Sequence, residues 1–222
     1  MTITPFARDR HRLQADYPDA FVLWEQCERE NARAYAGLPA SECSVDGNAM
    51  ALEFKRIIAE YLRGYVLDVG SGVQPVPLYL RDYPPHRIWG VDPLPDDPAH
   101  PRTYRCIQAF AELLPWRAEV FDTVIAATSL DHCLSPRRAI SEIARSLRGG
   151  GLFLCWVRHF PDAPEYDPRD PPAMPADEHH VFHFDQPWFE RWCAEERLIL
   201  WARKEYTSPK IATLYVWSKF RG

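Results

Sequence analysis

The feature that most constrains the fold of this chain is an alternation of short apolar runs and helical segments in its central part. The runs are too brief for helices and lead into glycine, proline or polar residues, which is typical of buried strands. Strands that alternate with helices favour a parallel sheet with helices packed against its faces. The predicted strands are residues 65–68, 87–92, 103–109, 121–127 and 152–157, with a short helix at 76–82.

The segments on either side of this alternation predict further elements. Residues 19–36 and 48–62 have one-sided apolar spacing, so two helices are expected before the first strand. Residues 161–175 contain six prolines and no Leu, Ile or Val. That composition argues against regular structure and predicts a loop over the open end of the sheet.

Local start and stop signals define the remaining elements. Ser135 and Pro136 are expected to be the N-cap and first residue of a helix that the glycines 149–151 end. Asp185 is expected to cap a second helix. The chain then has two β-like runs that predict an antiparallel hairpin around a turn, namely residues 198–204, Ser208-Pro209 and residues 211–220.

Composition limits the kind of protein that this chain can be. Its 222 residues, 46% of them hydrophobic, suffice for one substantial core, so a single domain is expected. No apolar run has the length or flanks of a signal peptide or a membrane span. The six cysteines show no close pairs, which favours reduced, mostly buried thiols and a cytoplasmic protein. The net charge of -5, without a Lys/Arg cluster, argues against nucleic acid and favours a small-molecule partner.

The run 66–75, Val-Leu-Asp-Val-Gly-Ser-Gly-Val-Gln-Pro, places a glycine turn directly after a buried strand. Gly70 and Gly72 have no side chains to block a ligand at the carboxyl edge of a parallel sheet. Asp68 offers a carboxylate to a cationic amino group, directly or through water. Asp92 ends the next strand, where its two oxygens can accept hydrogen bonds from both hydroxyls of a ribose. These residues together predict a cleft for an adenosyl group.

In their order along the chain, these residues resemble the motifs of the class I S-adenosylmethionine-dependent methyltransferases, in the small-molecule branch of that family. The glycine run is similar to the first motif, and Asp92 to the acidic end of the second strand. Further similar segments follow in the family's order at residues 111–116, 121–124, 129–132 and 142–150.

The resemblance implies an α/β fold with a Rossmann-like, doubly wound, mostly parallel seven-stranded sheet, an antiparallel C-terminal strand and an N-terminal helical cap. It implies one methyltransferase domain over residues 1–222. Its parts would be the helical cap (1–63), the cofactor-binding core (64–160) and an acceptor-side loop with the C-terminal hairpin (161–222).

The resemblance also implies S-adenosylmethionine as the methyl donor and S-adenosylhomocysteine as the product. Two positions depart from the family pattern. Gln74 stands where the third motif glycine would be, so the turn must accept a side chain or use it as a polar contact. Phe110 stands where the family often places an Asp that meets the adenine amino group, so backbone groups and apolar stacking are expected to hold the adenine. The implied cofactor-binding residues are Asp68, Gly70, Ser71, Gly72, Gln74, Asp92, Pro93, Leu94, Ala111, Glu112 and Thr128.

His132 and His180 are the catalytic candidates. His132 follows the fourth predicted strand, at the mouth of the cleft, where a neutral imidazole can take a proton from a hydroxyl or an amine. A structural or substrate-orienting histidine is the alternative. His180 belongs to the polar and aromatic segment 177–184, which is expected to face the acceptor. The spacing of Asp177, His179, His180 and His183 matches no established ligand motif, so a hydrogen-bonded loop is favoured over a metal site and no metal is predicted.

Two groups of aromatic residues have competing interpretations. The group near the C-terminus has mostly helical spacing, so it is expected in the core rather than in a substrate-stacking box. The group near the N-terminus either covers the acceptor pocket or forms a dimer contact, and a monomer or homodimer is expected. The first group is Trp188, Phe189, Trp192 and Trp201, and the second is Phe6, Tyr17 and Trp24.

The predicted function is methyl transfer to oxygen or nitrogen of a small polar or natural-product acceptor. Residues 128–132 lack the Asn/Asp-Pro-Pro-aromatic signature of many nucleic-acid and protein amino-group methyltransferases, which favours a small molecule. One alternative, a nicotinamide-dependent oxidoreductase, needs a third glycine to seat the helix against a pyrophosphate, and this chain has Val73-Gln74-Pro75 there. The other alternative is a noncatalytic interaction module that retains the fold and the cofactor.

Overall fold

The computed structural model describes residues 4–36, 50–72, 75–94, 101–207 and 211–221. The strands within these ranges are β1 (Val66–Val69), β2 (Ile88–Asp92), β3 (Arg105–Gln108), β4 (Phe121–Ala127), β5 (Leu147–Val157), β6 (Leu198–Tyr206) and β7 (Ala212–Lys219). They form one seven-stranded sheet in the order β3-β2-β1-β4-β5-β7-β6. β1 to β5 are parallel, whereas β7 is antiparallel to both β5 and β6. The predicted fold class is confirmed.

The helices of the described ranges are α1 (Pro5–Asp16), α2 (Pro18–Ala36), α3 (Ala51–Ile58), α4 (Pro136–Ser146) and α5 (Gln186–Glu195). The core lies on both faces of the sheet. In β4, Val124 and Ala126 pack with residues of α1, α2, α4 and α5, while Ile125 and Ala127 pack with residues of α3. Because successive side chains of a strand point to opposite faces, a strand buried on both faces is apolar throughout. None of the described helices has the length and apolar character needed to cross a bilayer.

The N-terminal region contains a helix that the sequence analysis missed. In α1 the buried residue is Leu13, so the helix has no apolar stripe to predict it from. Its start signal is local: the Thr4 side chain accepts a 3.2 Å hydrogen bond from the Ala7 amide, and Pro5 is the first helical residue. The helix predicted at 48–62 is shorter, because α3 ends at Ile58, and residues 48 and 49 lie outside the described ranges.

Two predicted boundaries in the central part are wrong. Residues 76–82 contain a single 3-10 turn, Leu78–Leu80, because Pro77 and Pro84 leave too few consecutive amide donors for an α-helix. The glycines 149–151 do not end α4. That helix ends at Ser146, and the glycines lie inside β5, which begins at Leu147.

Of the two predicted caps, one is formed. Ser135 occupies the N-cap position of α4, but its side chain makes no capping hydrogen bond. Asp185 caps α5, since its Oδ1 accepts a 2.8 Å hydrogen bond from the Gln186 amide. The C-terminal hairpin is confirmed as β6 and β7, and its Ser208-Pro209 turn lies outside the described ranges.

The aromatic residues near the C-terminus are in the core, with one exception. Trp188, Phe189 and Trp192 are buried, as predicted. Trp201 is 58% exposed. It lies where the pairing of β6 with β7 shifts register between Leu200 and Ala202, and a bulge of this kind turns a side chain away from the regular pattern.

Candidate active site

A cleft of about 380 Å³ opens at the carboxyl ends of β1, β2 and β4. The strand order reverses there, with β2 on one side of β1 and β4 on the other. The connections that follow neighbouring strands at such a point lead away in opposite directions, so the carboxyl ends of those strands stay accessible to a ligand. The predicted site residues that line the cleft are Gly70, Ser71, Gly72, Asp92, Pro93, Leu94, Ala111, Glu112, Thr128, His132 and His180.

Tight backbone turns shape the floor of this cleft. Gly70 has a φ of +71°, and a Cβ atom added there would lie 2.2 Å from Cβ of Ser129. Gly72 has a φ of +64°, and its amide donates a 2.8 Å hydrogen bond to Oδ2 of Asp92. Thr128, at the end of β4, has a φ of +53°, which residues other than glycine seldom adopt. The glycine turn and the carboxylate therefore face each other, as the sequence predicts.

Asp92 is held in place by backbone amides. Its side chain is mostly buried, with 6% of the residue exposed, and lines the cleft. Besides the Gly72 amide on Oδ2, the Leu94 amide donates a 2.9 Å hydrogen bond to Oδ1. These two amides fix the orientation of the carboxylate in the cleft.

One predicted cofactor-binding residue, Asp68, is not found among the described residues that line the cleft. Asp68 is fully buried, and its Oδ1 accepts a 2.8 Å hydrogen bond from the hydroxyl of Tyr79. Tyr79 itself lines the cleft, so it connects Asp68 to this space. Gln74 lies outside the described ranges.

One wall of the cleft is apolar and fixed to α4. Phe110 is 3% exposed, and Phe6 of α1 stacks on it with 4.8 Å between ring centroids. Glu112 is also buried, which raises the pKa of its carboxyl group. Its Oε1 accepts a 2.9 Å hydrogen bond from the Ser135 amide, so this side chain connects the wall to the start of α4.

Helix α2 covers the cleft. Trp24, Glu28 and Asn31 follow one another at about one helical turn and all line the cleft. Nε1 of Trp24 donates a 2.9 Å hydrogen bond to the carbonyl oxygen of His132. Trp24 was predicted either to cover the pocket or to form a dimer contact, whereas Glu28 and Asn31 were not predicted. Their spacing from Trp24, i+4 and i+7, was the available signal.

Three residues from two segments meet beside the end of β4. Asp131 and His132 belong to the turn Leu130–His132, and His180 belongs to the loop before α5. The ring centroids of the two histidines are 4.6 Å apart, and Oδ2 of Asp131 lies 3.7 Å from Nε2 of His180. Nδ2 of Asn31 lies 3.3 Å from Nδ1 of His132. Burial lowers the pKa of His132, so its neutral form, which carries a lone pair, predominates at neutral pH.

Asp177 orients His180. Oδ1 of Asp177 is 2.8 Å from Nδ1 of His180 and accepts 2.8 Å hydrogen bonds from the amides of His179 and His180. Burial raises the pKa of Asp177, but these hydrogen bonds outweigh burial and its pKa is lowered. The ionised carboxylate holds the proton of His180 on Nδ1, which leaves the lone pair on Nε2.

Glu28 makes the stability of the protein depend on pH. Burial raises its pKa from 4.5 to about 7, so the folded state holds a proton that the unfolded chain releases above about pH 4.5. Stability therefore falls as pH rises through this window, by up to about 3 kcal/mol in total. Glu28→Gln is expected to raise the free energy of unfolding at pH 8 by up to that amount, with the gain shrinking toward pH 4.5.

Urea denaturation at several pH values measures this effect. The exposed Glu60 is the matched control, and Glu60→Gln should leave the pH dependence unchanged. A Glu28→Gln curve that runs parallel to the wild-type curve at all pH values would show that Glu28 ionises normally.

The part of the chain that contains β1, β2 and β4, whose ends form the cleft, is similar to known proteins. Residues 67–155 match a family model described as a methyltransferase domain. No curated protein sequence gives a significant match. Many solved structures share the fold, at identities that on their own show the fold alone.

Three of these structures illustrate the likeness. The 1,6-didemethyltoxoflavin-N1-methyltransferase of Burkholderia thailandensis, with 1,6-didemethyltoxoflavin and S-adenosylhomocysteine bound, has a TM-score of 0.61 and 15% identity over 99% of this chain and 93% of that chain. A putative methyltransferase of Bacillus halodurans has a TM-score of 0.58 and 18% identity over 77% and 98%. The [4+2]-cyclase SpnF has a TM-score of 0.59 and 15% identity over 77% and 81%. With the matched motifs in the predicted order, residues 67–155 of this chain form a methyltransferase domain of the class I S-adenosylmethionine-dependent family.

Proposed function

We propose that this protein transfers the methyl group of S-adenosylmethionine to an oxygen or nitrogen atom of a small polar or natural-product acceptor in the cytoplasm. The observation that carries the proposal is the junction of Gly72 and Asp92. The amide nitrogen of a glycine turn and an oriented carboxylate oxygen lie 2.8 Å apart there, beside an open cleft at the point where the strand order reverses.

The residues that line the cleft offer suitable contacts to the ribose, methionine and adenine parts of the cofactor. Asp92 would bind the ribose hydroxyls, and the turn at 70–72 would lie against the methionine part. Ser71 and Thr128 would contribute to the same side. Pro93, Leu94 and Phe110 offer apolar surface to the adenine, next to backbone groups of Ala111 and Glu112. Asp68 would contribute through Tyr79, and a contact from Gln74 remains a proposal from the sequence alone.

The charge of the cleft suits a sulfonium donor. The described residues that line it include Asp92 and Asp131, as well as Glu28 and Glu112, whose pKa values burial raises, but no Lys or Arg. Partly desolvated acidic groups stabilise a cation far more than water-exposed ones do. In the transfer itself, a lone pair of the acceptor forms the new bond to the methyl carbon, the C–S bond breaks, and sulfur keeps that electron pair. The acceptor proton passes to the imidazole of His132 or His180, and alignment in the cleft provides the rest of the catalysis.

A small-molecule acceptor is supported by the cover over the cleft. Trp24 and Asn31 of α2 close one side, and His180 of the loop after β5 lines another. This loop is attached to the cleft wall, because the Tyr166 hydroxyl donates a 3.1 Å hydrogen bond to the carbonyl oxygen of Leu134, which lines the cleft. The Burkholderia methyltransferase of the same fold binds a small heteroaromatic molecule. Buried cysteine thiols at positions 27, 133, 155 and 193 support a reducing compartment.

Equilibrium titration and an acceptor panel test the proposal. Calorimetry should detect S-adenosylhomocysteine binding and no binding of a nicotinamide dinucleotide. Turnover of S-adenosylmethionine with a panel of hydroxyl and amine compounds should then identify the acceptor class. Dinucleotide binding without S-adenosylhomocysteine binding would favour an oxidoreductase. Cofactor binding with no product from any acceptor would favour the noncatalytic module.

Replacement of Asp92 tests the ribose contact. Asp92→Ala is expected to weaken S-adenosylhomocysteine binding by about 1 to 3 kcal/mol, because it removes charge-assisted hydrogen bonds to the ribose. Calorimetry measures the change, with the exposed Asp170→Ala as the control and circular dichroism as the check of folding. An unchanged affinity would remove Asp92 from the cofactor site.

A further inference from the structure

We propose that Asp131, His132 and His180 bind a divalent transition-metal ion at the acceptor side of the cleft. The inference deepens the proposed function and rests on it for the identity of the acceptor. Two imidazoles and one carboxylate are a ligand set that suits Zn²⁺, Fe²⁺ and Co²⁺ and leaves coordination positions open. These open positions would take a hydroxyl or carbonyl oxygen of the acceptor.

The distances among the three side chains are close to those of a metal site. One ligand atom from each residue can be chosen so that all three lie within 4.8 Å of one another. Oδ2 of Asp131 and Nε2 of His180 are 3.7 Å apart. Ligands at about 2.1 Å from a tetrahedral ion are about 3.4 Å apart, so small side-chain rotations are enough to enclose an ion.

The carboxylate of Asp131 has a buried oxygen that a cation would satisfy. Its side chain is 16% exposed, and its Oδ1 is buried with no hydrogen-bond partner among the residues that the structure describes. A buried carboxylate oxygen without a partner is costly, and nearly all such atoms in proteins are satisfied. A bound cation would satisfy it.

His180 is already oriented as a ligand. The Asp177 carboxylate, 2.8 Å from Nδ1, holds the proton on that nitrogen and leaves the Nε2 lone pair facing Asp131. A carboxylate that accepts a hydrogen bond from the far nitrogen of a ligand histidine is the usual support of a metal site. Asp177 therefore acts as a positioning residue.

A second group, Asp177, His180 and His183, also has ligand atoms close together. It is the poorer site, because Asp177 already accepts hydrogen bonds from two backbone amides and contacts both histidines. His183 also stacks on Phe160 and does not line the main cleft. The spacing within residues 177–183 matches no ligand motif, which is why no metal was predicted from the sequence. Asp131 and His132 reach His180 only in the folded chain.

Titration of Co²⁺ into untagged, chelator-treated protein tests the site without cofactor or acceptor. We expect one Co²⁺ per chain, with the visible absorption typical of low-coordinate Co²⁺. Asp131→Asn, His132→Ala and His180→Ala should each weaken binding by at least about 100-fold, and Asp177→Asn by about 10- to 100-fold. His183→Ala should change it little. The control is His86→Ala, because His86 is exposed in the turn Pro85–Arg87, directly before β2.

The Co²⁺ titration can overturn the metal site in two ways. Absence of Co²⁺ binding by the wild type would overturn the inference, as would binding that survives His132→Ala but is lost in His183→Ala. Each variant is checked by circular dichroism and by S-adenosylhomocysteine calorimetry, which are independent of the metal. Cofactor binding without Co²⁺ binding would reject the metal site and leave the methyltransferase proposal standing. Co²⁺ binding without cofactor binding would support the metal site and reject the methyltransferase proposal.

Discussion

Gly70→Ala is expected to lower the free energy of unfolding by about 2 to 5 kcal/mol. Two terms contribute. The φ of +71° costs a residue with a Cβ atom about 1 to 2 kcal/mol. The added methyl group would lie 2.2 Å from Cβ of Ser129, and overpacking of this kind costs about 1 to 3 kcal/mol. Ser129 cannot rotate freely out of the way, because its hydroxyl donates a 2.6 Å hydrogen bond to the Val69 carbonyl oxygen.

Gly149→Ala is the matched control for this substitution. Gly149 is also near a strand end, but a Cβ atom there would meet its nearest neighbour at 3.7 Å, an ordinary contact distance. Urea denaturation should show little change for this variant and a clear loss for Gly70→Ala. Calorimetry with S-adenosylhomocysteine should show weaker binding in Gly70→Ala alone. Equal stability of the two variants would mean that the turn relaxes and that Gly70 is not constrained.

The sheet could be predicted because its signals are local. β4 was predicted with its observed ends, since its last four residues, 124–127, form the continuous apolar run that is typical of a strand buried on both faces. α1 was missed because a helix with a single buried residue has no periodic pattern, and Thr4-Pro5 is a weak signal alone. The glycines 149–151 were interpreted as a helix stop, although Leu147 and Leu152 on either side of them pair with β4, so the glycines form an irregular part of β5. Tertiary pairing outweighed local propensity there.

In the candidate site, too, the residues close together in sequence were predicted and those brought together by folding were not. The glycine turn and Asp92 were predicted because a strand end and its turn lie together in sequence. Glu28, Asn31 and Asp131 were missed because their roles depend on long-range contacts. Asn31 is 101 residues from His132 and 148 residues from His179 along the chain, yet it contacts both. No local pattern encodes such a meeting, which follows from the packing of α2 over the end of β4.

His180→Ala is expected to lower turnover by about 100- to 10,000-fold and to leave S-adenosylhomocysteine affinity almost unchanged. His180 lines the acceptor side of the cleft, about one ring away from His132, whereas the ribose site at Asp92 belongs to another strand. His132→Ala should behave alike, because its imidazole faces the same space. Steady-state kinetics with the acceptor that the panel identifies, together with calorimetry, measure the two quantities. Equal losses in turnover and in affinity would show a structural role instead.

The same variants distinguish the two ways in which these imidazoles can act on the acceptor. A histidine that removes the proton directly gives a turnover that is insensitive to chelators and falls as the imidazole is protonated. A histidine that binds a divalent ion gives a wild-type turnover that chelation lowers nearly to the level of His180→Ala, and that added metal restores. We expect the second result, because Oδ1 of Asp131 has no hydrogen-bond partner within the described part of the chain and a cation beside these rings would satisfy it. Chelation that leaves wild-type turnover unchanged would assign the proton transfer to the imidazoles themselves.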